Sequence, residues 1–137
     1  MTIAEIQNDI IEEFAMFDDW EEKYQYMIDL GKSLPLIDPI FKTDENIIQG
    51  CQSKVWLKGV PSNSHVVFTA DSDAIITKGI IAILIRVFSN QQPEAILNAD
   101  MSFIDKIGLK EHLSATRANG LVSMIKQIKM YALVYSN

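Results

Sequence analysis

Cys51 is the one thiol in 137 residues, and it stands in Ile47-Ile48-Gln49-Gly50-Cys51-Gln52-Ser53, just ahead of the alternating segment Lys54-Val55-Trp56-Leu57-Lys58. One thiol cannot close an intramolecular disulfide, nor can it hold an iron–sulfur cluster, which wants three or four thiolates. A zinc site would need Cys51, His65 and His112 to converge with a carboxylate, and their separations match no ligand spacing. A lone thiol can attack, exchange sulfur, or fill space as a small buried hydrophobe. Gly50 points to a sharp turn or a close backbone approach, and Gln52 and Ser53 bring polar groups that a plain core position would not want. Attack needs the thiolate, and a free cysteine has a pKa of about 8.5. The net charge of −6 disfavours ionisation, so activation has to come from a basic group in a distant segment or on a partner. His65 lies across a hairpin and His112 near a helix end, so both read as surface or interface histidines and no Cys-His-Asn triad is argued.

The second unusual segment is Ser114-Ala115-Thr116-Arg117-Ala118-Asn119-Gly120. Thr116 can cap the last helix, yet Asn119 and Gly120 are poor helix formers in its first turn. They fit either a frayed start or a close approach at Gly120, with Arg117 projecting a charge suited to bidentate contacts. The acidic run Asp18-Asp19-Trp20-Glu21-Glu22 is a capped, solvated helix start, and Asp71 and Asp73 are read as helix caps. Asp71 and Asp73 open like a calcium loop, but no further ligands follow. There is no P-loop and no glycine-rich dinucleotide fingerprint.

The elements that must position these residues follow from periodicity. Thr2 and Glu5 form a capping-box pattern ahead of Ile3, Ile6, Ile10 and Ile11, which predicts a first helix. A second starts at Asp18 or Asp19, carries Trp20, Tyr24, Met27 and Ile28 as its stripe, and has Gly31 as its stop. Pro35 and Pro39 make the next segment an extended loop. Lys54–Lys58 and His65–Thr69 form a hairpin around a turn at Pro61-Ser62-Asn63-Ser64, with a short strand at Asn46–Gln49 before it. Ala74–Phe88 is apolar nearly all round, which suits a central helix covered on both sides. Pro93–Leu97 and Phe103–Ile107 are short helices, and Thr116–Tyr135 is the last long one. The sum is an α+β fold: a small antiparallel sheet of three to four strands flanked by N- and C-terminal helices, in a single domain over residues 1–137.

With 18 acidic against 12 basic residues, no dense cationic face is available for a phosphate backbone, and a nucleic-acid binder is not expected. Ile75–Phe88 is too short to span a bilayer and carries Lys78 and Arg86. The opening Thr2–Glu13 is polar and acidic rather than a cationic signal segment, so a soluble cytoplasmic protein is expected.

Five stretches together resemble the SufE family, the sulfur acceptors that serve cysteine desulfurases in iron–sulfur cluster assembly. They are Asp19-Trp20-Glu21-Glu22-Lys23-Tyr24; Leu30-Gly31 with Leu34-Pro35; Ile48-Gln49-Gly50-Cys51-Gln52-Ser53-Lys54-Val55-Trp56; Asp71 through Gly79; and Arg117-Ala118-Asn119-Gly120-Leu121 with Met124. They occur in family order over nearly the whole chain. The resemblance implies a compact α+β domain shared with scaffold proteins of the IscU type. It implies that Cys51 accepts sulfane sulfur from the persulfide of a SufS-like desulfurase, stimulates that enzyme, and delivers sulfur to an iron–sulfur scaffold complex. Gly50, Gln52, Ser53, Asp73, Arg117, Asn119 and Gly120 match positions that support the acceptor loop or dock the partner. Pyridoxal phosphate belongs to that partner, so no cofactor or metal is expected on this chain, and a homodimer is left open. Lys54 departs from the uncharged residues often found there in relatives. The alternatives are a related acceptor for a second desulfurase system, a binding module whose thiol is structural, and a stand-alone thiol enzyme.

Overall fold

The structure, a computed structural model, describes residues 1–136. Helix α1 (Ile3–Ala15) starts at the expected capping box: the Thr2 hydroxyl accepts from the Glu5 N–H, and the Glu5 carboxylate accepts from the Thr2 N–H. Helix α2 (Trp20–Lys32) is capped by Asp19, whose carboxylate accepts from the Glu22 N–H. Strands β1 (Val55–Ser62) and β2 (His65–Ser72) pair antiparallel, Val55 opposite Ser72 and Ser62 opposite His65. The turn is tighter than the sequence suggests. Only Asn63 and Ser64 lie outside the strands, both at positive φ (50° and 68°), and Pro61 pairs with Val66 inside the ladder. Val55 and Leu57 face the core, while Trp56 and Lys58 stand on the other side.

Helix α3 (Ile75–Phe88) runs through the centre. From Thr77 to Phe88 every residue is buried except Lys78 and Arg86, and each such isoleucine or leucine stabilises the fold by roughly 1.5–3 kcal/mol. Those two cations sit at the margins in ion pairs. Lys78 meets Asp71 at 3.3 Å, and Arg86 forks onto both Glu13 oxygens at 2.6 and 2.7 Å. Helices α4 (Pro93–Leu97), α5 (Ser102–Lys106) and α6 (Ala115–Val134) complete the chain, with α6 burying Leu121, Met124, Ile128 and Ala132. Among the described residues no helix is long and apolar enough to cross a membrane.

Four expectations need correction. The sheet has two strands, not three or four. The segment expected as an extra strand makes a single bridge, Ile47 to Trp56, because a 3₁₀ turn (Asp44–Asn46) ends just before it and Gly50, at φ +93°, turns the chain away just after. Gly31 does not stop α2; it lies inside the helix and is buried against Gly79 of α3. Neither Asp71 nor Asp73 caps α3, whose N-cap is Ala74. Asp71 instead pairs with Lys42 and Lys78, and Asp73 accepts from the Lys54 N–H. Ser114, not Thr116, caps α6, accepting from the Arg117 N–H at 3.3 Å.

Candidate functional site

Cys51 sits at the tip of the loop that joins the Ile47 bridge to β1, and it is half-buried. Its thiol points at the carbonyl of Gly120 in α6, Sγ to O 3.8 Å, a long contact even for sulfur. The glycine is what allows this approach. A Cβ at position 120 would lie 3.3 Å from Sγ, tighter than most real contacts. At the neighbouring Gly50 the φ of +93° strains any residue with a Cβ, and that Cβ would lie 2.5 Å from the Ser123 hydroxyl, which would have to turn away. Glycines on loop and helix thus bring the two segments together around the sulfur.

Beside Cys51 opens a cavity of about 250 Å³. Gln52 and Ser53 continue the loop along its wall, and Ala74, Thr77 and Ile80 of the α3 side form the floor. Thr116, Arg117, Gly120 and Met124 of α6 close it. Ile80 and Met124 are buried apolar groups, whereas Arg117 is exposed and stands at the mouth. Among the described residues Arg117 has no carboxylate within ion-pair distance, so its charge is free to meet an incoming anion. Burial pushes the Cys51 thiol above its ordinary pKa, so at neutral pH it rests as S–H.

The loop is fastened to the start of α3 rather than to the sheet alone. Ser53 donates to the Thr77 hydroxyl at 3.1 Å. The Lys54 N–H donates to the Asp73 carboxylate at 3.0 Å, and the Lys54 carbonyl accepts from the Asp73 N–H and the Ser72 hydroxyl. Of the residues singled out in the sequence, Cys51, Gln52, Ser53, Arg117 and Gly120 meet at the cavity. Gly50 and Asp73 lie behind the loop as its turn and its tether. Asn119 is exposed and off the cavity wall, and Lys54 is exposed beside the loop. Cys51 meets α6 through Gly120.

Thr77 and Ile80 were not visible as site residues, because their spacing reads as the buried face of α3. One signal was available: Thr77 is the single buried polar side chain in that helix. The histidines take no part. His112 stacks on Trp20 with ring centroids 4.0 Å apart, and its backbone carbonyl accepts from the Tyr24 hydroxyl. His65 turns back to the Asn63 carbonyl at 2.9 Å. Among the described residues no three His, Cys, Asp or Glu side chains gather as metal ligands would.

The chain as a whole has relatives. The family model described as SufE, the Fe-S metabolism associated domain, matches residues 8–132. An uncharacterized SufE-like protein of Rhizobium meliloti is 44% identical over 128 residues, covering 90% of this chain and 91% of its own. Another, of Rhizobium etli, is 43% identical over 130 residues, covering 91% and 88%. The solution structure of a hypothetical protein from Thermus thermophilus superposes with a TM-score of 0.79 over 95% of both chains. At 17% identity it shows a shared fold alone. A single thiol at a glycine-lined loop, in a chain that one family model matches over residues 8–132, places this protein in the SufE family, the domain associated with Fe–S metabolism.

Proposed function

We propose that this protein is a sulfur carrier: Cys51 takes persulfide sulfur from a SufS-like, pyridoxal phosphate-dependent cysteine desulfurase, relieves that enzyme of its product, and passes the sulfur to an iron–sulfur scaffold complex in the cytoplasm. The observation that carries this reading is the placement of the chain's one thiol. It stands at a loop tip, half-buried against Gly120, at the edge of a cavity whose free charge is Arg117. Family membership supplies the Fe–S context.

The chemistry is thiol exchange. Once deprotonated, Cys51 Sγ attacks the outer sulfur of the partner's persulfide; the new S–S bond forms as the partner's S–S bond breaks, and the electron pair leaves on the partner's thiolate. No net oxidation or reduction occurs. The resting S–H form is a poor nucleophile, which suits a carrier that should stay silent until docked. Docking at the cavity mouth would bring the partner's anionic persulfide to Arg117, which attracts it and favours charge on the sulfurs. Asp73 and Gly50 hold the loop that presents the thiol, and Gln52 and Asn119 are exposed for the partner to touch.

The test is desulfurase turnover, followed as cysteine consumption with and without this protein. Wild type should raise turnover severalfold, while Cys51→Ser should not raise it at all. Equal stimulation by the two proteins would make the thiol structural and defeat the reading. Arg117→Ala should retain Cys51 reactivity toward small alkylating agents and lose much of the stimulation.

A further inference from the structure

We propose that Thr77 is a positioning residue for the acceptor thiol: its buried hydroxyl is the catch to which Ser53 fastens the Cys51 loop, and opening that catch swings the thiol out toward a partner. The inference deepens the sulfur-carrier reading and rests on it for its purpose, though not for its test.

The loop has two kinds of attachment. At its outer ends the fastening is multiple and mostly backbone. The Ile48 N–H donates to the Val55 carbonyl at 2.8 Å, and Lys54 shares three hydrogen bonds with Ser72 and Asp73. Between these ends the attachment is thin. Among the described residues the tip from Gln49 to Gln52 has one hydrogen bond to the helices, the long thiol contact to Gly120, beside the packing of Gly50 on Ser123, and the next residue, Ser53, holds by one hydroxyl–hydroxyl bond of 3.1 Å. A hinge bounded by Ile48 and Lys54 can therefore open by giving up two weak hydrogen bonds and the packing of Gly50 on Ser123.

Thr77 is the fixed half of that catch. It is 6% exposed, in a helix whose other buried side chains are all apolar. A hydroxyl there needs a partner, because a buried polar group without one is costly. Ser53 is half-buried, so its hydroxyl finds water as soon as the loop lifts. The bond is thus reversible on the loop side and anchored on the helix side. Both residues face the same cavity as Cys51.

The test is Cys51 alkylation by iodoacetamide in the isolated protein, followed against pH. Thr77→Val keeps the shape and removes the catch; Ser53→Ala removes it from the loop side; Thr77→Ser restores the hydroxyl. The first two should alkylate about three- to tenfold faster, the range that one neutral hydrogen bond allows. Their pH midpoint should move down toward that of an ordinary thiol, as the sulfur leaves its half-buried position. Thr77→Ser should match wild type within about twofold. A folded Ser53→Ala with wild-type rate and midpoint overturns the proposal, and so does Thr77→Ser reacting as fast as Thr77→Val. If Thr77→Val does not fold, Ser53→Ala against wild type decides alone. No desulfurase enters this assay, so a negative result removes the catch and leaves Cys51 as acceptor to be judged by persulfide transfer.

Discussion

Two pairs of glycines bring segments together in this fold, and they do so on different terms. Where α2 crosses α3, Gly31 and Gly79 let two backbones touch. A Cβ on Gly79 would lie 2.4 Å from the Met27 carbonyl oxygen, and one on Gly31 would lie 3.1 Å from the Gly79 nitrogen. Around the thiol, Gly50 and Gly120 let a loop touch a helix. There the would-be neighbours are side-chain atoms, Ser123 Oγ at 2.5 Å and Cys51 Sγ at 3.3 Å. Helix backbone in a packed core cannot step aside, whereas a serine rotamer or a thiol on a loop can. The first seam fixes the scaffold and the second leaves the site adjustable.

That contrast predicts a graded series of substitutions. Gly79→Ala should cost most, about 3 kcal/mol or more in urea denaturation, because the clash is with buried main chain. A loss below about 1 kcal/mol would show that the crossing can relax. Gly50→Ala should cost about 1–3 kcal/mol, since a residue with a Cβ is strained at φ +93°. Adding Ser123→Ala should recover only the steric part of that loss. Gly120→Ala should change stability by less than about 1 kcal/mol, because better helix propensity offsets the crowding of Sγ. It should nonetheless displace the thiol and raise Cys51 alkylation severalfold; unchanged reactivity would mean that the site is as rigid as the α2–α3 seam.

The smallest effect is one of pH. Burial raises the Cys51 thiol above its unfolded value of about 8.5. The stability this links to is whole below that value and is lost as pH rises through the folded one. Wild type should therefore lose slightly more stability than Cys51→Ser between about pH 8 and 10, compared in parallel urea melts. Parallel curves would place the thiol in an environment no different from water.

Much of this was legible in the chain. The capping box at Thr2 and Glu5, the Asp19 cap and the α3 run carry strong local signals, and the structure follows them. Cys51, Gly50 and Gly120 stood out for being the wrong types for their settings, and they meet in space. Where expectation failed, a tertiary contact outweighed a local rule. Gly31 looked like a helix stop because glycine ends helices, yet its lack of a side chain serves the crossing with Gly79. Asp71 and Asp73 looked like caps because of their position, but lysines and a loop N–H from elsewhere claim their carboxylates. The extra strand at Asn46–Gln49 shrank to a single bridge at Ile47, since a 3₁₀ turn before it and Gly50 after it crowd the segment. Thr77 was hidden by the periodicity that makes α3 the core.

The most direct test of the account is intact-protein mass after incubation with a cysteine desulfurase, pyridoxal phosphate and cysteine, with wild type and Cys51→Ser treated alike. A gain of one sulfur, about 32 Da and removable by dithiothreitol, on wild type alone is the predicted result. No gain on wild type, or an equal gain on Cys51→Ser, would contradict the assignment of Cys51 as the sulfur acceptor.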